Sequence, residues 1–134
     1  MAAAFLVAAL LGGGLLLAYT GDYEERIALA STALAQGTGE VRLQEVGENV
    51  EVELEVRGLP ELREDEYYEL WFVDDDGRMS GGTFQVRPEG RASVNFTAPA
   101  VARTYPTVGI TREPDDGDPQ SSGKKVLGGE LQNS

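Results

Sequence analysis

The sequence predicts a mainly β protein: a seven-stranded antiparallel β-sandwich, Ig-like in plan, preceded by one N-terminal transmembrane helix and a short helical stalk. Three observations predict it. No residue among the first 21 is charged, and every Asp, Glu, Lys and Arg lies beyond them. Next, Ile27, Ala30 and Leu34 recur at helical spacing. From Glu40 onward, short runs of apolar and polar residues are broken by turn signals at roughly ten-residue intervals. The implied division is a transmembrane helix over 1–20, a partly helical stalk over 21–39, and an extracytoplasmic β-sandwich domain over 40–134.

Residues 2–19 form the contact with membrane lipid. As a helix they span about 27 Å, close to the ~30 Å hydrocarbon core. Leu6, Leu10, Leu11, Leu15, Leu16 and Leu17 each favour insertion by roughly 0.3–0.6 kcal/mol, whereas Gly12, Gly13 and Gly14 weaken the helix. Ala4, Ala8 and Gly12 make a small-residue stripe that permits close helix packing. The competing reading is a cleavable secretory signal, trimmed near Leu17-Ala18-Tyr19-Thr20; the lack of a basic start and the length of the apolar run favour an anchor. Both place the body outside the cytoplasm. The missing basic flank suggests that Met1 is a trimmed start of something longer.

After the anchor, Asp22 and Glu25 resemble a capping box for a helix over 22–36, which Gly37 and Gly39 stop. Val50, Val52, Leu54 and Val56 then alternate with Glu51, Glu53, Glu55 and Arg57, the period of a half-buried strand. Residues 67–73 are apolar on both sides, as in a central strand. Further strands are expected over 41–46, 82–86, 91–97, 107–113 and 125–131, for seven in all.

Composition excludes several classes of function. At a net charge of −12 the body is repelled by phosphate backbones, so no nucleic acid partner is expected. With no Cys and no His, thiolate–imidazole zinc sites, Cys nucleophiles and Ser-His-Asp triads are ruled out. An enzyme would also lack any base with a natural pKa near neutrality.

The remaining motifs read as structure. Asp74-Asp75-Asp76-Gly77 fails the EF-hand pattern, because its sixth and twelfth positions are Met79 and Gln85; a hairpin turn is expected. Asp115-Asp116-Gly117-Asp118 is the better candidate for weak cation binding, although a polar loop describes it more simply. Two S-x-x-K matches, Ser121/Lys124 and Ser122/Lys125, lack the companion motifs of penicillin-interacting enzymes. The stretch 117–125 misses the P-loop spacing. Glu51, Glu53 and Glu55 are expected on a solvated face, and Asn95-Phe96-Thr97 matches a glycosylation sequon inside a strand. Trp71, the single tryptophan, is expected to fill the core, with a ligand platform as the minority reading. No catalytic, cofactor-binding or metal residue is assigned.

Several segments in order carry a resemblance. They are Gly58-Leu59-Pro60, Tyr68-Glu69-Leu70-Trp71-Phe72-Val73, Gly82-Thr83-Phe84, and Val108-Gly109-Ile110-Thr111-Arg112-Glu113-Pro114. A last pair is Asp118-Pro119-Gln120-Ser121-Ser122-Gly123 with Val126-Leu127-Gly128. Over about residues 38–131 the chain resembles the C-terminal extracytoplasmic domain of the anti-sigma-K factors (RskA type). The resemblance implies a single-pass, non-enzymatic regulator that controls sigma-factor-dependent transcription through stepwise, regulated proteolysis. It departs from that plan in carrying no sigma-binding helices before the anchor, and in having Ser121 and Ser122 where the family commonly shows Pro and Thr. A truncated product or one half of a split regulator is therefore expected, with a sigma factor as partner through a missing or separate cytoplasmic domain and a regulatory protease as a second partner. The alternative is a tethered or secreted β-sandwich that binds a ligand or cell-envelope component.

Overall fold

The computed structural model describes residues 25–131; the expected membrane helix over 1–20 and its small-residue stripe lie outside them. Eight strands follow in order: β1 (Glu25–Ser31), β2 (Thr38–Val46), β3 (Asn49–Arg57), β4 (Glu66–Asp74), β5 (Gly77–Phe84), β6 (Ala92–Pro99), β7 (Thr107–Pro114) and β8 (Lys125–Glu130). Two short 3-10 turns, Pro88–Gly90 and Ala100–Thr104, flank β6. No helix among the described residues is long and apolar enough to cross a membrane.

Each of the seven strands expected from periodicity has a counterpart, although the one expected over 82–86 runs from Gly77 to Phe84. Two expectations fail, and one residue pattern explains both. The stalk helix is absent over 25–31, where β1 forms instead, and the seven-stranded sandwich is replaced by one eight-stranded antiparallel sheet ordered β5-β4-β7-β8-β1-β2-β3-β6. Glu25, Ile27 and Leu29 are buried and alternate with exposed Arg26, Ala28 and Ala30, a strand period concealed among residues that favour helices. Long-range pairing outweighs that local preference: β1 lies against β2 from Glu25↔Leu43 to Ala30↔Thr38, and against β8 at Ala30↔Gly128 and Ser31↔Leu127. Without β1 the other seven strands would fall into two separate groups, β5-β4-β7-β8 and β2-β3-β6. The added strand joins them into a nearly closed barrel.

At the opposite seam, β5 and β6 meet through side-chain contact, and the isolated bridge Arg87↔Arg91 closes the turn that connects them. The Phe96 ring lies so close to Gly82 that a Cβ there would stand 2.4 Å from it. Gly82 also has φ of 138°, which a side chain rarely tolerates, so glycine is required for the seam to close.

The interior is one apolar cluster. Ile27, Val41, Leu43, Val50, Val52, Leu54, Tyr68, Leu70, Phe72, Ile110 and Leu127 are all essentially sealed from water. Tyr68 stacks on Phe84 at 5.7 Å and sends its hydroxyl to the Pro60 carbonyl at 2.6 Å, anchoring the 58–65 loop to the barrel end. Outside, Arg42 pairs with Glu53 and with Glu55 (3.2 Å), so Glu51, Glu53 and Glu55 do form the outer face of β3.

Candidate functional site

The strands β4 and β7 are neighbours, and their outward-facing residues build a buried polar cluster. Registers Tyr67↔Glu113, Glu69↔Thr111 and Trp71↔Gly109 place two carboxylates, a hydroxyl and the indole side by side. Open solvent would be normal for that face. Here Trp71, Glu69, Thr111 and Glu113 are all buried, Glu113 to 1% exposure.

The cluster is wired as a relay. Trp71 Nε1–H donates to Thr111 Oγ1 at 2.8 Å, and the Thr111 hydroxyl donates onward to Glu113 Oε2. The Ser122 backbone N–H donates to both Glu113 oxygens at 3.0 Å. Glu113 thereby fastens the 115–124 loop over the sheet, helped by Ser122 Oγ donating to the Arg112 carbonyl at 2.7 Å. A buried carboxylate requires such donors, since an unsatisfied one would be heavily penalised.

Glu69 has a different environment. Ser80 Oγ donates to it at 2.5 Å, but burial, and secondarily the charge of Glu113, raise its pKa above the usual carboxylate range. Beside these acids runs a cleft of about 400 Å³ lined by Trp71, Arg78, Pro119, Gln120 and Ser121. The Arg78 guanidinium sits 5.7 Å from the Trp71 ring centroid, a cation–π distance. Trp71 is therefore no part of the inner core. It fills a small outer one, between sheet and loop, with part of its surface lining the cleft.

A second fastening holds the neighbouring loop. Arg112 donates from Nε (3.1 Å) and Nη2 (2.8 Å) to Glu66 Oε1, and from Nη2 to the Glu61 carbonyl at 2.9 Å. Hydrogen bonds from Arg112 and from the Arg63 N–H hold the Glu66 carboxyl below its ordinary range.

The motifs weighed from sequence find structural employment. Asp74 Oδ1 accepts the Asp76 and Gly77 N–H groups at 2.8 and 2.9 Å, capping the β4–β5 hairpin turn. Asp116 and Asp118 cap successive turns of the 115–124 loop in the same manner. Ser121 Oγ accepts the Gly123 N–H and Ser122 Oγ the Lys124 N–H, so both S-x-x-K serines shape the loop. Asn95 is exposed on β6, across from Glu53 on β3. Among the described residues no three acidic side chains gather as a metal site. The relay itself was not anticipated. Its signal was Glu69 in a run of aromatic and aliphatic residues, and Thr111 and Glu113 two residues apart on one strand face.

The geometry gives physical content to two segments that carry the resemblance, because Trp71 belongs to one and Thr111 and Glu113 to the other. A family model described as anti-sigma-K factor rskA, C-terminal, matches residues 1–125. No curated protein matches the chain.

Proposed function

Because the chain belongs to the anti-sigma-K factor rskA C-terminal family, we propose that its barrel is the extracytoplasmic, non-enzymatic control domain of a membrane-tethered anti-sigma factor. Residues 2–19 hold it in the membrane, and a cytoplasmic sigma-binding part belongs to a separate or additional domain. The barrel acts by governing when a protease reaches the peptide that links it to the anchor. The observation that carries this reading is the extent of the family match, which takes in the apolar leading stretch and the barrel up to the start of β8.

The position of β1 supports the gating step. Only five residues separate Tyr19 from Glu25. From Glu25 the backbone is paired with β2, so a protease that binds extended peptide finds this segment occupied while the barrel is folded. The chain offers a direct test, since it has no cysteine. A Thr97→Cys variant, exposed on β6, should react with a membrane-impermeant maleimide in intact cells. Labelling only after lysis would refute the location. Replacing Gly12, Gly13 and Gly14 with leucine should slow intramembrane cleavage, since each glycine costs a helix about 1 kcal/mol relative to Ala; unchanged cleavage would count against regulated proteolysis.

The cleft beside Trp71 favours a second reading, a tethered binding module for a ligand or cell-envelope component. It predicts quenching of the single tryptophan on titration with glycans or peptides, and flat titrations would remove it.

A further inference from the structure

We propose that the exposed loop 32–37 is a proteolytic processing site whose cleavage leaves the barrel attached, non-covalently, to the strand it has been cut from. The inference deepens the regulatory reading above and rests on it for its cellular consequence. Its structural content stands on β1 alone.

The loop joins β1 to β2 and is accessible at its centre. Leu34 is 64% exposed, the highest value among the exposed large hydrophobics, and Ala33 and Gln36 are exposed beside it. Both flanks are tied down. Thr32 N–H donates to the Val126 carbonyl at 3.0 Å, and its hydroxyl donates to the Lys125 carbonyl at 2.6 Å, so β1 is clamped to β8 at its very end. On the other side β2 begins at Thr38, paired with Arg57. A protease from outside the chain therefore meets exposed peptide at Ala33 and Leu34, just before Ala35 packs against the core. There water adds across one peptide bond, leaving a carboxylate on the anchor side and an ammonium on the barrel side. Both new charges form in solvent, where they cost the fold little.

The groups that hold β1 in place, Thr32 included, stay on the anchor side of a cut between Ala33 and Leu34. Ile27 and Leu29 remain in the core at 2% and 3% exposure. Gly129 of β8 is hollowed to receive the strand: a Cβ there would stand 2.5 Å from the Ala28 carbonyl and 2.8 Å from the Ile27 side chain. As β1 joins the two half-sheets, withdrawing it means parting β8 from β2 through the middle of the barrel. Cleavage thus primes the domain, and a separate event that extracts β1 releases it.

The test uses the full 134-residue chain in mild-detergent micelles, treated with thermolysin, which cuts before large apolar residues. Mass spectrometry should place the first cut at Ala33–Leu34. The product should run as two bands on a denaturing gel and as one peak in native gel filtration. In nicked protein, Ile27→Ala should speed fragment separation by on the order of a hundredfold. Thr32→Val, which leaves the core intact, should speed it by about fivefold. Fragments that part within minutes under native conditions would overturn the proposal, as would cutting elsewhere in the barrel before the loop. Failure of the maleimide test would instead indict the cellular location and leave this outcome unaffected.

Discussion

Thr111→Val tests whether the outer network is a working part of the fold. Valine matches the shape of threonine but neither accepts the Trp71 indole proton nor donates to Glu113. Trp71 is 5% exposed and Thr111 3%, so water has little access to restore the lost bond. An orphaned buried N–H costs about 1–3 kcal/mol, and losing one donor to a charged acceptor costs about 1.5–3 kcal/mol; the Ser122 N–H, which remains on Glu113, keeps the second loss at its low end. The expected destabilisation is about 2.5–4.5 kcal/mol. Urea unfolding in detergent, followed by circular dichroism, measures it. A double-mutant cycle then isolates the indole's share: on a Trp71→Phe background, Thr111→Val should cost at least ~1 kcal/mol less. A cost below about 0.5 kcal/mol on both backgrounds would refute the relay.

Gly90→Ala should destabilise by at least ~3 kcal/mol, because φ is 69° and a Cβ would lie 2.1 Å from the Leu59 carbonyl oxygen; urea midpoints measure it. Glu69 and Glu66 should respond to pH in opposite senses. Burial raises Glu69 above its unfolded value, about 4.3, so its contribution is fully present below that pH and is lost as pH rises through the folded value. Glu69→Gln should therefore be more stable than the parent at pH 7, with the advantage vanishing below about pH 4. Arg112 lowers Glu66, whose contribution is present above the unfolded value and is lost as pH falls through the folded one; Glu66→Gln should lose stability at pH 7, with the deficit shrinking in acid. Urea midpoints across pH 3–8 test both carboxylates, and a shared sign would show the assignment of causes to be wrong.

The strands that the sequence made legible are those whose burial repeats every second residue over a long stretch. Val50, Val52, Leu54 and Val56 left little choice. β1 was illegible because Ile27, Ala30 and Leu34 satisfy a helical pattern almost as well as Ile27 and Leu29 satisfy an extended one, and its β8 partners lie up to 98 residues away, at Gly128 and Leu127. That one strand decides between two facing sheets and a single curled one, so a local ambiguity became a global error. The outer network was hidden for a related reason. Trp71 reads as core filler when β4 is taken alone, and the polar character of its surroundings emerges only once β7 and the 115–124 loop are brought against it. The turn at Asp74 was legible throughout, because it depends on neighbours two and three residues away.

Antiparallel pairing of β1 with β8 also puts Glu25 and Leu131 at one pole, beside the β2–β3 hairpin and the Leu131–Pro106 hydrogen bond. A fluorescent reporter fused at the C-terminus would thus crowd whatever adjoins residue 24. Cargo grafted into the segment between β7 and β8 would instead project from the far pole, at the expense of the latch that Ser122 makes with Glu113.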